Sequence, residues 1–365
     1  MAACGGGPSS TASHSPTASP APASSASPSG SPGATGAATP LHCTSAVPSG
    51  DNLVIGTVVG DPTVVVRDIQ DPANARSICT LDGTALSPQF MSSQAIAYET
   101  ADNQIIKVQF ATVPPAVLAQ YHSGTGSGQY AISPNGQSIT YMDGNAWHLA
   151  GPSGDKTLTA LPAVPARGVN PDEDDSYLSF SPDGNYIALV STFHTGGSGE
   201  TAPDQIRRAS DGALVYSTSG MTMGVWSSAP SRLFFRDSGG VMKRWDPNGV
   251  SNMISLHWIR PRSSPDGRWI AYTYRTSEGL GAVGFYSVQG NRVSSTTPPG
   301  RSGVVFLNND LVWYFGEQAC STCLGGAPKP TGVAYIYSIA SASEISSRLT
   351  SVLDVWPRAI PPGVG

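Results

Sequence analysis

Ser181-Pro-Asp-Gly-Asn-Tyr-Ile-Ala-Leu189 and Ser264-Pro-Asp-Gly-Arg-Trp-Ile-Ala-Tyr272 are almost the same phrase, and Ser133-Pro-Asn-Gly-Gln-Ser-Ile-Thr-Tyr141 is a third copy. Proline presets φ for the first turn position, Asp or Asn with Gly tolerates a tight reversal, and the β-branched and aromatic run behind them suits a buried strand. Each copy therefore reads as the corner of a β-hairpin. Used as a ruler, the phrase exposes weaker relatives: Ser87-Pro88 before Gln94 to Tyr98, Ala229-Pro230 before Arg232 to Phe235, and Asn308 to Asp310 before Leu311 to Tyr314. A seventh stands at Pro48 to Asn52, before Leu53 to Ile55. Successive strand starts lie 37 to 48 residues apart. That period belongs to four-stranded propeller blades. The chain is expected to be all-β, a seven-bladed β-propeller of four-stranded antiparallel blades, with six or eight blades as the alternatives.

If the corners join the first and second strands of each blade, inner strands fall at Ser127 to Ile132, Ser176 to Phe180, Thr222 to Trp226, His257 to Ser263 and Arg301 to Leu307. Third strands follow at Thr63 to Ile69, Gln104 to Phe110, Val241 to Trp245, Val283 to Val288 and Val333 to Ile339. Arg76 to Thr80, Asn291 to Thr296 and Ser346 to Ser351 are outer strands. The blade that begins at Leu53 lacks an inner strand. Ser351 to Arg358 echoes Ile254 to Arg262 and is expected to supply it by pairing with Leu53 to Val59, which removes the free edge of an open array.

Composition agrees with many short strands joined by turns: Gly and Pro number 41 and 31, and 12% of residues are charged. A net charge of -5 argues against a polyanionic partner, so no nucleic acid is expected. No apolar run approaches the roughly 18 residues of a membrane helix. From Gly5 to Pro40 every residue except His14 is Ser, Ala, Gly, Pro or Thr, which leaves almost nothing to bury against the entropy of ordering. The expected organisation is a processing-site remnant at 1–4, a tether at 5–42, the propeller at 43–358 and a tail at 359–365.

Cys43 precedes the first strand, Cys79 lies in the last strand of the first blade, and Cys320-Ser-Thr-Cys323 sits in a long hairpin loop. Four cysteines allow three pairings, and the two local staples, Cys43 with Cys79 and Cys320 with Cys323, are favoured. The alternatives are a zinc ion held by all four and a redox role for the second pair. Haem attachment is excluded because Leu324, not His, follows Cys323.

The repeats resemble the WD40-like repeats of the TolB type, propellers of the bacterial envelope whose blades carry a Ser-Pro-Asp-Gly turn and an aromatic, β-branched strand. Ser181 to Leu189 and Ser264 to Tyr272 match best, and the resemblance spans roughly residues 45 to 358. It implies the fold and names no partner. Met1-Ala-Ala-Cys4 resembles the processing site of a bacterial lipoprotein, in which the cysteine sulfur is diacylated; Cys4 is the expected lipid attachment point. An extracytoplasmic location at the bacterial cell surface follows from that resemblance.

The longer connections, Leu161 to Asp175, Thr192 to Asp204, Arg275 to Ala282 and Gly316 to Gly332, all belong to one face of the disc, the expected ligand face. Candidate ligand-binding residues are Asp172, Glu173, Asp174 and Asp175, with His194 in the second connection. The acidic run lacks EF-hand or RTX spacing, so no metal is assigned to it. Trp258, flanked by His257, Arg260 and Arg262, can meet an anionic or planar ligand at the channel or serve as blade packing. No catalytic set and no cofactor motif is recognised: the Gly-x-Ser-x-Gly-like stretches at 124–128 and 196–199 lack a nucleophile-elbow context. The reading is a lipid-anchored, extracytoplasmic binding module, monomeric, for a protein or glycan of the envelope. A polysaccharide lyase or glycosidase acting at the channel is the alternative, and it requires several His, Asp or Glu side chains to converge there.

Overall fold

The structure is a computed structural model. It describes residues 41–43, 52–69, 71, 75–81, 85–110, 115–121, 130–143, 146–160, 177–190, 204–218, 220–227, 230–237, 239–253, 256–323 and 327–357. The chain divides into units 1–37 and 38–365, and every described residue belongs to the second. Seven antiparallel sheets make up that unit, and among the described residues there is no helix. Blades 2 to 7 take residues 86–120, 130–160, 177–218, 222–252, 259–296 and 301–347 in chain order. Blade 1 is formed by both ends of the chain.

The recurring phrase builds the same corner each time. Ser181 Oγ donates to Asp183 Oδ1 (2.6 Å) and accepts from Tyr186 N (2.9 Å), while Asn185 N donates to Asp183 Oδ1 (3.0 Å). Ser264 repeats this with Asp266 (2.7 Å) and Trp269 N (3.0 Å), and Ser133 with Asn135 (2.7 Å) and Ser138 N (2.9 Å). Gly136, Gly184 and Gly267 close the turns at φ of 66°, 71° and 67°, a region L side chains avoid. The corners also touch one another around the ring: Asp266 N donates to Asn309 Oδ1 (2.9 Å) of the next blade, and Ser227 Oγ donates to the Gly267 carbonyl (3.1 Å).

Both faces of each sheet are apolar because each meets a neighbour. The buried residues form seven clusters, each shared by two adjacent blades; Phe234 and Met242 of blade 5, for example, pack with Trp258, Ile270 and Tyr272 of blade 6. The cluster between blades 7 and 1 joins Trp313, Ala334 and Ile336 to Val54, Leu349 and Val355. Its inner strand is the C-terminal one, Leu349–Trp356, paired antiparallel with Leu53–Val58 in the register Leu53 to Trp356 and Val54 to Val355. The Trp313 indole donates to the Leu349 carbonyl (3.0 Å), tying blade 7 to the closing strand. A Cβ at Gly56 would run into the Ser351 carbonyl, so only glycine allows this approach.

Four sequence expectations need correction. Ser87-Pro88 is not a corner; it lies within the inner strand Leu86–Ser92, where a bulge between Leu86 and Gln89 takes the donor-less proline out of the ladder. The corner of that blade is at Ser92, whose Oγ accepts from Gln94 N (3.1 Å). The stretch Ser346 to Ser351 is split between the outer strand Ser343–Ser347 and the closing strand, which starts at Leu349 because that side chain is completely buried. Arg275 to Ala282 is not an inserted loop: strands Trp269–Arg275 and Gly281–Ser287 meet through a short turn in which Thr276 N donates to the Leu280 carbonyl (2.8 Å). Finally, Leu41–Cys43, whose first two residues were assigned to the tether, forms a fifth, edge strand on Arg76–Leu81. Cys43 and Cys79 are register partners there and form a disulfide, as do Cys320 and Cys323.

In blade 7 the Glu344 carboxylate receives a bidentate bond from Arg301 (2.7 and 2.9 Å) and the Tyr314 hydroxyl (2.6 Å). Burial alone would raise its pKa, but the bonds from Arg301 and Tyr314 outweigh it, and the net shift is downward. A lowered carboxylate pKa gives stability that is present above the unfolded value and is lost as pH falls through the folded one. Glu344→Gln is therefore expected to destabilise the protein in urea unfolding at neutral pH, with the difference from the parent shrinking as pH falls below the ordinary carboxylate range; an equal deficit at neutral and acid pH would contradict this.

The ring closure makes a second prediction. Leu349→Ala should cost about 2–5 kcal/mol, whereas Leu353→Ala, on the same strand but 52% exposed, should stay within about 0.5 kcal/mol. Equal losses in urea unfolding would mean that the closing strand does not anchor the ring.

Candidate functional site

The inner strands of blades 1 to 6 enclose a cavity of about 460 Å³ at the propeller axis. Its polar lining is Gln89, Ser179, Arg262 and Asp354, and its aromatic lining is Tyr130, Phe180 and Trp226. Pro134 and Pro182 border it as well. These two prolines belong to the corners of blades 3 and 4, so the cavity lies toward the corner face.

Most of the lining is held in place by bonds within the wall. Asp354 Oδ2 accepts from Phe90 N (2.6 Å), Gln89 Nε2 donates to the Tyr130 carbonyl (2.9 Å), and the Trp226 indole donates to Ser179 Oγ (2.9 Å). The Tyr130 hydroxyl donates to the Ser87 and Ala97 carbonyls (2.6 and 3.0 Å). Arg262 is different. Its side chain is exposed, its one hydrogen bond goes from Nη1 to the Pro261 carbonyl (2.9 Å), and among the described residues it forms no ion pair. It sits in this position because a register shift between Ile259 and Arg262 interrupts the inner strand of blade 6. A guanidinium with most of its donors open, facing a cavity walled by aromatic rings, can bind a carboxylate or other planar anion.

Of the sequence candidates among the described residues, Arg262 alone borders this cavity. Trp258 is 1% exposed and packs edge-on against Tyr272, with ring centroids 5.9 Å apart, in the core between blades 5 and 6. His257 is exposed just before the inner strand Ile259–Ser263, at the end away from the corner. Arg260 is half-buried with φ of 47° within that strand. Asp172, Glu173, Asp174, Asp175, His194 and Cys4 lie outside the described residues, as does most of the two longest connections. Cys320 and Cys323 sit in the hairpin between strands Leu311–Gln318 and Lys329–Ser338 of blade 7.

Sequence reasoning missed Gln89, Ser179, Trp226 and Asp354. The usable signal was positional: each lies on an inner strand within a few residues of its corner or strand end, the part of the blade that borders the axis. A second cavity, about 440 Å³, lies between the corners of blades 3 and 4 and shares Pro134, Phe180 and Pro182 with the first. Both of these cavities involve the short-turn face.

No protein-family profile and no curated protein sequence matches the chain. Among solved structures, TolB from Acinetobacter baumannii is similar at 19% identity over 68% of this chain, with a TM-score of 0.40; the chain spans 65% of that structure's length. An oligogalacturonate lyase from Vibrio parahaemolyticus shares 9% identity over 85% of this chain and 86% of that one, with a TM-score of 0.51. Dihydro-heme d1 dehydrogenase NirN, solved in complex with DHE, shares 15% identity over 86% of this chain and 78% of that one, also at 0.51. At these identities the last two comparisons show a common propeller fold and nothing about ligand or reaction.

Proposed function

We propose that this chain is an extracytoplasmic binding module that takes an extended, acidic ligand of the cell envelope at its axial cavity and is held at the membrane by lipid on Cys4. The observation that carries the reading is Arg262, open to the cavity without an ion-pair partner among the described residues. The two disulfides agree with an oxidising compartment. Among the described residues the cavity lining supplies Asp354 as its one carboxylate and no histidine. Glycoside cleavage by paired acid and base groups would need at least a second such group, so the lining favours binding over a lyase or hydrolase.

Two experiments test the reading. Pull-downs from envelope extracts with the propeller as bait should recover a partner that Arg262→Ala loses; recovery at the same level by both proteins would count against the axial site. Cys4→Ser, expressed in the native host, should move the protein from the membrane pellet to the soluble fraction, and mass spectrometry of the parent should find acyl chains on Cys4. Unchanged membrane association would remove the anchor from the proposal.

A further inference from the structure

The groove between the corners of blades 3 and 4 has a lining unlike that of the axial cavity. Asn135, Phe180, Asp183, Asn185, Arg208 and Ser210 line it. The corner network uses only part of their hydrogen-bonding capacity. Asp183 Oδ1 is taken by Ser181 Oγ and Asn185 N, and among the described residues Oδ2 has no partner. Asn135 Oδ1 accepts from Ser133 Oγ and Gln137 N, which leaves the amide nitrogen as a donor without a partner there. The side chains of Asn185 and Ser210 make no hydrogen bond among the described residues, and Arg208 spends only Nη1, on Asp211 Oδ2 (2.7 Å). The Phe180 ring borders the groove and is half-buried against the core between blades 3 and 4, whereas the Tyr186 ring packs edge-on against Trp245 at 5.0 Å in the core between blades 4 and 5.

The groove therefore presents acceptors and donors side by side, next to one immobilised aromatic ring. Its lining carries one cation, Arg208, already paired with Asp211, and one anion, Asp183. Anions meet Asp183, apolar ligands leave the amides unpaired, and neither class satisfies this lining. A ligand that does so carries adjacent hydroxyls, each both donor and acceptor, and a neutral C–H face to lie against the Phe180 ring. That description is a neutral saccharide. The volume, about 440 Å³, falls within the range of small-molecule sites, about 300–1,000 Å³.

We infer that the groove between blades 3 and 4 is a binding site for a neutral saccharide, separate from Arg262 and continuous with the axial cavity through Pro134, Phe180 and Pro182. The test is calorimetric titration of the full chain with maltotriose, cellotriose, mannotriose and triacetylchitotriose, with trialanine as a control. At least one sugar should bind, trialanine should not, and Asn185→Ala and Arg208→Ala should each weaken the sugar about tenfold or more, while Arg262→Ala leaves it unchanged. Both groove side chains are exposed or partly exposed, and Arg208→Ala keeps the test open if Asn185→Ala disturbs the corner. No binding of any sugar at about 10 mM, or affinity unaltered by the two groove variants, overturns the inference. Loss only in Arg262→Ala would do so too, while leaving the axial reading intact.

Discussion

Each blade of this protein is apolar on both sides, so no blade can exist at the end of a row. An open array of such sheets would leave one hydrophobic face and one strand edge exposed. Closing the circle removes both, and the closure rests on one strand, Leu349–Trp356, which crosses from the end of the chain to complete the sheet begun at Leu53. Val54, Leu349 and Val355 then bury against Trp313 and Ile336, and the seventh cluster is complete. The other six interfaces are formed by blades that follow one another in sequence; this one joins residues nearly 300 apart. It is the contact with the greatest loop-closure entropy against it, and the contact without which the remaining faces have no partner.

The corner phrase works at a shorter range and shapes the two cavities. A serine hydroxyl, an Asp or Asn carboxyl or amide oxygen and two backbone N–H groups close each turn in so few residues that the face they form stays thin. The prolines and aromatic residues beside the corners are then the walls of the two cavities, as Pro134, Phe180 and Pro182 demonstrate by lining both. Turn chemistry and candidate recognition chemistry thus share residues: Asp183 braces its own corner with one oxygen and borders the groove with the side chain that holds it.

The cavity linings differ in how they treat charge. At the axis, Asp354 is engaged by a backbone N–H of blade 2, while Arg262 keeps most of its donors open among the described residues. In the groove, Arg208 and Asp211 already neutralise each other on the surface. Blade 7 shows a third arrangement, in which Arg301 chelates Glu344, lies 3.8 Å over the Tyr335 ring and leaves little capacity for anything else. The same residue type is a structural brace in one blade and an open donor in another, and only the surroundings distinguish them.

Much of the architecture was legible in the sequence because its determinants are local. The Ser-Pro-Asp-Gly turns, the alternating strands behind them, the spacing of the repeats and the nearby cysteine pairs all act within a few dozen residues, and they led to seven blades, ring closure and both disulfides. The exceptions are places where tertiary contact overrode local pattern: Ser87-Pro88 reads as a turn yet is absorbed by a bulge, and Leu349 leaves the preceding strand because the interface of blades 7 and 1 buries it. The site was less legible. His257, Trp258, Arg260 and Arg262 are neighbours in sequence, but strand alternation and a register shift place the indole in the core and the last arginine at the axis. Gln89, Ser179, Trp226 and Asp354 come from four blades and meet only because the ring closes, since residues on an axis become neighbours through the tertiary fold and not through their spacing along the chain.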